Sequence, residues 1–284
     1  MTVWNLGSVN ADLVFRVPHL PAPGETLAAT GFSRGLGGKG ANMSVAVARA
    51  GSHVEHIGAV GEDGTWMKDR LAGYGVGVTH LATLDGPSGQ AVIELDAQGE
   101  NRIIILPGSN TRVDVFTLDE ILSQAQPGDW AIFQNETNGL LDFARAVKAR
   151  GLPLAHAAAP FDAEAVAPLL DHLDLLVMNE VEAQQLQAAT GLTPDALPVA
   201  DVVITLGARG ARWIGPEGSR DFAAPKVTPV DTTGAGDTFT GYLVAGLEQG
   251  LPMAEAITLA QKAGALMVTR LGTADVIPTR DELE

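Results

Sequence analysis

The chain has 284 residues, enough for one large domain or two small ones. Hydrophobic residues make up 46% and charged residues 18%, which supplies a sizeable core and excludes global disorder. A formal net charge of -16 disfavours nucleic acid or an anionic membrane as a main partner, and any anionic substrate must meet a local positive site.

There is no cysteine, so disulfides and thiolate metal sites are excluded. The opening "MTVWNLGSVNAD" has no basic region followed by an apolar run, so it does not read as a signal peptide. No stretch approaches the roughly 18 uninterrupted apolar residues of a membrane span. The expectation is a cytoplasmic protein without a membrane or nucleic-acid partner.

Strands then alternate with helices along the chain. "TVWNLG" reads as a short strand running into a turn. "LVFRV" (13–17) and "TLAATGFS" (26–33) read as strands with no helix between them, a small antiparallel flap. "GANMSVAVARAG" has helical spacing and ends at Gly51, a C-terminal cap. "VEHIGAVG" is the next strand, and "DGTWMKDRLAGYG" a helix capped by Asp63. "QAVIELD" and "RIIIL" form a hairpin-like pair. "DWAIFQ", "LPLAHAA", "LDLLVMN" and "DVVITLG" are apolar strands, separated by the helices "LLDFARAVKARG", "AEAVAPLL" and "VEAQQLQAATG". Two long helices, "GAGDTFTGYLVAGLEQG" and "MAEAITLAQKAGALMVTR", close the chain. This alternation predicts an α/β fold: a doubly wound, mostly parallel sheet with helices on both faces. Residues 1–284 read as one domain, with lid strands inserted near 13–33 and 90–106.

The stretch "GLGGKGAN" (35–42) admits several readings. Gly35, Gly37 and Gly40 fit G-x-G-x-x-G, but the polar "TGFSR" precedes them where a dinucleotide fold needs a buried strand. A Walker loop needs Ser or Thr after Lys39, and Gly40 stands there. What remains is a glycine-rich turn opening a helix, with free backbone N–H groups beside Lys39 and Asn42. Such a loop suits a polyol as well as a phosphate, and a purely structural tight turn is the plain alternative.

The second stretch is "VDTTGAGDTFTGYLVAGL" (230–247). Gly234, Ala235 and Gly236 lie where a helix starts, and its unpaired N–H groups and dipole make an anion hole. Asp237 sits in the first turn. It either complements the dipole or takes the proton of an attacking hydroxyl beside the transferring phosphoryl.

Together "GGKGAN" and "DTTGAGDTF" resemble the ribokinase, or PfkB, family of carbohydrate kinases. "GSVNAD", "PAPGETL", "NEVE" and "TLGARG" extend the resemblance over essentially the whole chain, in order. It implies ATP-dependent phosphorylation of a primary hydroxyl, with D-ribose favoured and a nucleoside or another sugar as alternatives. Asn10 and Asp12 would bind sugar hydroxyls, with Gly38, Lys39, Gly40, Asn42 and Glu136 completing that site. Asp237 would be the general base, and Gly234, Ala235 and Gly236 the anion hole. Thr205, Leu206, Gly207, Ala208, Arg209 and Gly210 would contact the nucleotide, with Asn179, Gly236 and Gln261. Glu182 would hold magnesium through water. Asp231, Thr233, Met267, Arg270, Gly272 and Val276 would form a site for a monovalent cation, potassium. The lids of two copies would clasp into a homodimer.

Three departures from the family pattern stand out. "AHAAAP" (155–160) lacks an expected Asn, Gln261 replaces an Asn beside the adenine, and Val276 replaces a Ser hydroxyl. A dehydrogenase and a non-catalytic sugar sensor are the readings from other classes. The first lacks the strand before its glycines, and the second would most simply have lost Asp237. The six histidines show no metal-ligand spacing.

Overall fold

The computed structural model describes residues 1–284. Strands β1 (Thr2–Leu6), β2 (Asn10–Arg16) and β3 (Gly31–Gly37) lead into helix α1 (Lys39–Arg49). β4 (His53–Gly61), α2 (Thr65–Gly73) and β5 (Leu81–Leu84) follow, then the hairpin β6 (Gly89–Leu95) and β7 (Asn101–Leu106). After the short α3 (Leu118–Leu122) comes a regular run: β8 (Trp130–Gln134), α4 (Leu140–Ala149), β9 (Leu154–Ala157), α5 (Ala163–Val166), β10 (Leu175–Asn179), α6 (Glu180–Thr190) and β11 (Asp201–Thr205). A second hairpin, β12 (Ala211–Gly215) and β13 (Gly218–Phe222), precedes α7 (Ala235–Glu248) and α8 (Met253–Met267).

Nine strands form one sheet in the order β13-β12-β11-β10-β9-β8-β1-β4-β5. Pairing is parallel from β5 through β11, and only the terminal hairpin is antiparallel. Helices cover both faces, so alternate residues of each strand enter different cores. Val3 packs with Met43, Val47, Leu243 and Ile257, whereas Trp4 and Leu6 pack with Phe143, Val147 and Leu186. Burial on both sides is why these strands are apolar runs rather than alternating ones. Helix α7 lies against both α1 and α8. A Cβ at Gly241 would fall 2.5 Å from the Ala46 Cβ, so glycine permits the α7–α1 approach.

The remaining strands form a separate sheet, β3-β2-β6-β7. Here β2 pairs antiparallel with β3 but parallel with β6, so this lid is mixed rather than wholly antiparallel. Its first strands are also displaced from their expected positions. The ladder runs from Asn10 opposite Gly37 to Arg16 opposite Gly31. It therefore takes in the start of the glycine stretch, while residues 26–30 fall outside it. The segment before β3 contains Pro21 and Pro23, which cannot donate to a ladder. Asp63 does not cap α2: its carboxylate accepts from the N–H and hydroxyl of Ser88, and Gly64 takes the capping position. The edge strands β5, β12 and β13 were not anticipated.

The lid meets the main sheet at Gly7, where the chain leaves β1. The N-terminus of α1 crosses there at very short range. A Cβ on Gly40 would lie 2.4 Å from the Gly7 Cα and 2.4 Å from the Ser8 nitrogen. Asn5 fixes the crossing, donating its side-chain amide to the Gly40 carbonyl and Ser44 Oγ (both 2.8 Å) and accepting from Gln134 (2.9 Å). The buried His56 spans the Gly7 carbonyl and Ser44 Oγ; burial holds its pKa down to about 4, so it is neutral at pH 7. Because only backbone surrounds the missing Cβ, Gly40→Ala should destabilise the protein by about 1–3 kcal/mol or more. Urea unfolding checks this, and a change near zero would mean that the crossing is looser than described.

Candidate active site

Asn10 and Asp12, two residues apart on β2, project to the same face. Asn10 is almost fully buried. Its Oδ1 accepts from Asn110 Nδ2 (2.7 Å), and Asn110 Oδ1 accepts from the Val9 N–H (2.9 Å). This orients Asn10 so that its amide nitrogen remains as donor. The Asp12 carboxyl lies over Gly37 in the space a side chain would take, since a Cβ there would lie 2.1 Å from Asp12 Oδ2.

The N-terminus of α1 adjoins these two residues. Gly38, at φ +92°, turns the chain from β3 into the helix, a conformation that favours glycine. The first N–H groups of the helix are not free, contrary to expectation. Lys39 N–H donates to Glu136 Oε2 (3.1 Å), Gly40 N–H to Ser8 Oγ (3.3 Å) and Ala41 N–H to the Ser8 carbonyl (2.8 Å). Ser8 Oγ also donates to Glu136 Oε2. The anion at this helix end is thus the protein's own carboxylate, which leaves neither a dinucleotide nor a Walker phosphate a place there.

Asp237 lies across from this cluster in the first turn of α7, buried, with Oδ2 accepting from Asn42 Nδ2 (2.8 Å). Burial pushes its pKa up, against the opposing effects of Lys39 and the Asn42 hydrogen bond. Lys39 is in turn held above its usual range, chiefly by Asp237 and also by Glu136. Asp12 is pushed up to about 7, first by burial and then by the charges of Glu136 and Asp237. The Lys39 ammonium therefore faces Asp237 and Glu136, while Asp12 has no such partner. The turn before Asp237 is shaped by Gly234 at φ +77°. Ala235 N–H folds back onto the Thr232 carbonyl (3.2 Å), while the N–H groups of Gly234, Gly236 and Asp237 have no acceptor within the protein. With no side-chain cap on α7, they form a small positive hollow at a helix terminus.

On the other side of this turn opens a cavity of about 400 Å³. Thr205, Gly207, Ala208, Gly210, Gly236 and Gln261 line it, joined by Ala224, Lys226, Val227 and Phe239. Gln261 donates its amide to the Phe222 carbonyl (2.9 Å). A carboxylate, a hollow of N–H donors and two sites meeting at one turn form the arrangement that phosphoryl transfer needs.

Comparison with known proteins agrees. The model of the pfkB family of carbohydrate kinases matches residues 2–280. The chain belongs to that family. It is therefore a phosphotransferase that acts on a sugar hydroxyl. The chain is 35% identical to a ribokinase of Haemophilus influenzae, over 99% of this chain and 96% of the relative. A ribokinase of Cryptococcus neoformans var. grubii in complex with ADP superimposes with a TM-score of 0.84 at 32% identity, covering 99% of this chain and 98% of that one. The Arabidopsis thaliana ribokinase complexed with ribose and ATP gives 0.86 at 29% identity, covering 99% and 96%.

Other residues expected in this kinase's sites lie at varying distances from the seam. Leu206 packs toward the second core and Arg209 reaches Glu180 (2.6 Å); neither lines the cavity. Asn179 caps α6 in a capping box, its Oδ1 accepting from Glu182 N–H (2.9 Å) while Glu182 Oε2 accepts from Asn179 N–H (2.7 Å). Glu182 still bears on the seam, since its charge contributes to the upward shifts of Asp237 and Lys39. Asp231 accepts from the N–H groups of Thr233 (2.9 Å) and Gly272 (3.2 Å). The Met267 carbonyl accepts from Arg270 N–H (2.9 Å) and the Val276 carbonyl from Arg270 Nη1 (3.3 Å), leaving the carbonyls of Thr233, Arg270 and Gly272 without protein donors. Asn110 and Lys226 escaped the sequence reading. Asn110 acts through Val9 and Asn10, a hundred residues away, and Lys226 sits in an irregular loop without periodicity.

The Asp12 shift gives stability a definite pH dependence. An unfolded Asp titrates near 4, so between about pH 4 and 7 the native state holds a proton that the unfolded state has lost. Rising pH through that window therefore weakens the native state relative to a variant that is neutral there. Asp12→Asn should stabilise the ligand-free protein by roughly 1–3 kcal/mol at pH 8 and very little at pH 4. Thermal unfolding at both pH values reads this out; an equal gain at both would contradict the raised pKa of Asp12.

Proposed function

We propose that the protein transfers the γ-phosphoryl of ATP to the primary hydroxyl of a furanose sugar, D-ribose at O5 being preferred. The observation that carries this is Asp237, a buried carboxylate at the seam between a polar acceptor cluster and a nucleotide-sized cavity, beside unpaired N–H donors. Ribose is supported by the relatives named ribokinase and by the Asn10–Asp12 pair, which suits vicinal hydroxyls.

Asn10 and Asp12 orient the sugar, and Glu136 offers Oε1, which has no donor in the protein. Asp237, fixed by Asn42, takes the proton as the hydroxyl oxygen attacks phosphorus. Its raised pKa makes it a stronger base than an exposed Asp. The N–H groups of Gly234 and Gly236, with Lys39 nearby, stabilise charge on the transferring group as ADP leaves. Magnesium would be held through Glu182 and water, since the chain gathers no cluster of three His, Asp or Glu side chains; it would neutralise phosphate charge. Potassium would meet Asp231 and the carbonyls of Thr233, Arg270 and Gly272, a reduced set because Val276 supplies no hydroxyl. Use of free ATP and a sugar suits a cytoplasmic enzyme, and no helix is long and apolar enough to cross a membrane.

A coupled assay of ADP release over pentoses, hexoses and nucleosides tests the acceptor. A hexose or nucleoside clearly ahead of ribose in kcat/KM would reject ribose. Replacing potassium by tetramethylammonium in this assay decides whether the reduced cation set matters to turnover. In the assay Asp237→Asn should lose roughly 10²–10⁴ in kcat, with the sugar KM much less affected. Turnover near the wild-type rate would leave Asp237 as a dipole-complementing residue only.

Assembly follows from the lid. Every residue of β7 is exposed, including Ile103, Ile104, Ile105 and Leu106, and Phe32 on β3 is 60% exposed. A row of isoleucines on an edge strand needs cover. Two copies clasping through their lids would supply it and make a homodimer. Light scattering should give a dimer mass for the wild type and a monomer for Ile104→Lys; a wild-type monomer at all concentrations refutes the clasp.

A further inference from the structure

The orientation of the Asn10 amide is decided by a chain of hydrogen bonds that ends on the backbone. The Val9 N–H can only donate, so the Asn110 atom that meets it (2.9 Å) is the oxygen. The Asn110 nitrogen must then donate to Asn10 (2.7 Å), which makes the Asn10 atom facing it the oxygen as well. The Asn10 nitrogen is left on the far side of the amide, on the strand face shared with Asp12, without an acceptor in the protein. Space for this bond comes from Gly89, which pairs with Asn10 across the β2–β6 ladder. A Cβ on Gly89 would lie 2.1 Å from both Asn10 Oδ1 and Asn110 Nδ2. Asn110 itself is fixed in place. It is buried on the turn Gly108–Arg112, whose Ser109 is tied down on two sides: its hydroxyl donates to the Ala59 carbonyl of β4 (2.9 Å) and its N–H to the Pro87 carbonyl (3.1 Å).

Asn10 and Asp12 complement each other only if one donates and the other accepts. A sugar hydroxyl carries one proton and two lone pairs, so it can accept from the amide and donate to the carboxylate. With the amide reversed, two acceptors would compete for that one proton. Resting on the kinase reading above, we propose that Asn110 is a positioning residue for the sugar: it locks Asn10 as a hydrogen-bond donor and so sets the direction in which hydroxyls bond across the Asn10–Asp12 pair. Gly89 completes the lock by keeping the ladder position beside Asn10 empty. Because the lock exists before the sugar arrives, binding does not have to order the Asn10 amide.

The test is a double-mutant cycle over the wild type, Asn10→Ala, Asn110→Leu and the double variant. Calorimetric binding of D-ribose, or of whichever sugar leads the acceptor assay, is the readout. Asn110→Leu keeps the volume and removes both hydrogen-bonding ends. It should weaken sugar binding by about 2- to 10-fold, the weight of one neutral hydrogen bond, and raise KM more than it lowers kcat. In the Asn10→Ala background the same substitution should cost nothing further, because the residue it acts through is gone. Affinity for a non-hydrolysable ATP analogue, measured without sugar, should be the same in all four proteins, a split that a general loosening of the structure does not produce. If Asn110→Leu does not fold, Gly89→Ala, whose methyl occupies the place of the bond, replaces it in the cycle. A variant with wild-type sugar affinity, a loss that persists in the Asn10→Ala background, or an equal loss of nucleotide affinity overturns the proposal. A wild type that phosphorylates no sugar fails the kinase reading, whereas an active wild type with an additive cycle fails this inference alone.

Discussion

The contact between Gly7 and Gly40 sets where the N-terminus of α1 lies in the candidate site. Two backbones approach where neither residue can carry a side chain, and the N-terminus of α1 is thereby pressed onto the end of β1. Ser8 then meets the first N–H groups of the helix, and Glu136 arrives from the end of β8 to occupy its positive end. Lys39 and Asn42, one turn of helix apart, are carried with it toward Asp237. The contact is a steric condition rather than an attraction. What holds it closed is the buried polar set of Asn5, Gln134, Ser44 and His56, each hydrogen-bonded to another member or to the crossing backbone.

The electrostatics of the site follow from that geometry. A chain with a net charge of -16 must receive a nucleotide polyanion, and it does so without a cluster of cations. Backbone N–H groups at the start of α7 supply part of the local positive potential, and Lys39 adds one full charge. These donors are fixed by the fold and need no reorganisation when charge moves, which is the condition for electrostatic stabilisation. Burial first, and then the charges of Glu136 and Asp237, push the Asp12 pKa up to about 7, so it stays partly protonated near neutrality.

Much of this was legible in the sequence, and the exceptions have physical causes. Strands buried on both faces announce themselves as apolar runs, so β8 to β11 and their helices were readable from composition and spacing. Asp237 was readable because "GAGD" combines an uncapped helix start with a carboxylate. The lid was harder. Its strands are half-exposed and glycine-containing, and the pairing of β2 with β3 is set by a glycine ladder that local preference does not encode. The glycine loop misled in one respect: nothing near residue 40 in the chain reveals that Ser8 and Glu136 consume its N–H groups. The hairpin β12–β13 has exposed, charged residues that carry little periodic signal. Leu206 and Arg209 belong to a motif whose glycines reach the cavity while its larger side chains turn away.

The self-neutralised end of α1 has a consequence for turnover. Most helix termini beside a bound sugar would welcome a phosphate, and would retain the product as firmly as they received the substrate. Here that terminus is already occupied by Glu136, with Asp12 and Asp237 beside it. A neutral sugar enters this surround at little electrostatic cost, but the same molecule leaves as a dianion. Once ADP no longer shares the N–H hollow, the phosphorylated sugar faces three carboxyl groups and a single lysine. On the proposed reading, the carboxyl groups that would orient the acceptor would also repel its phosphorylated form, so release and chemistry would draw on one set of charges.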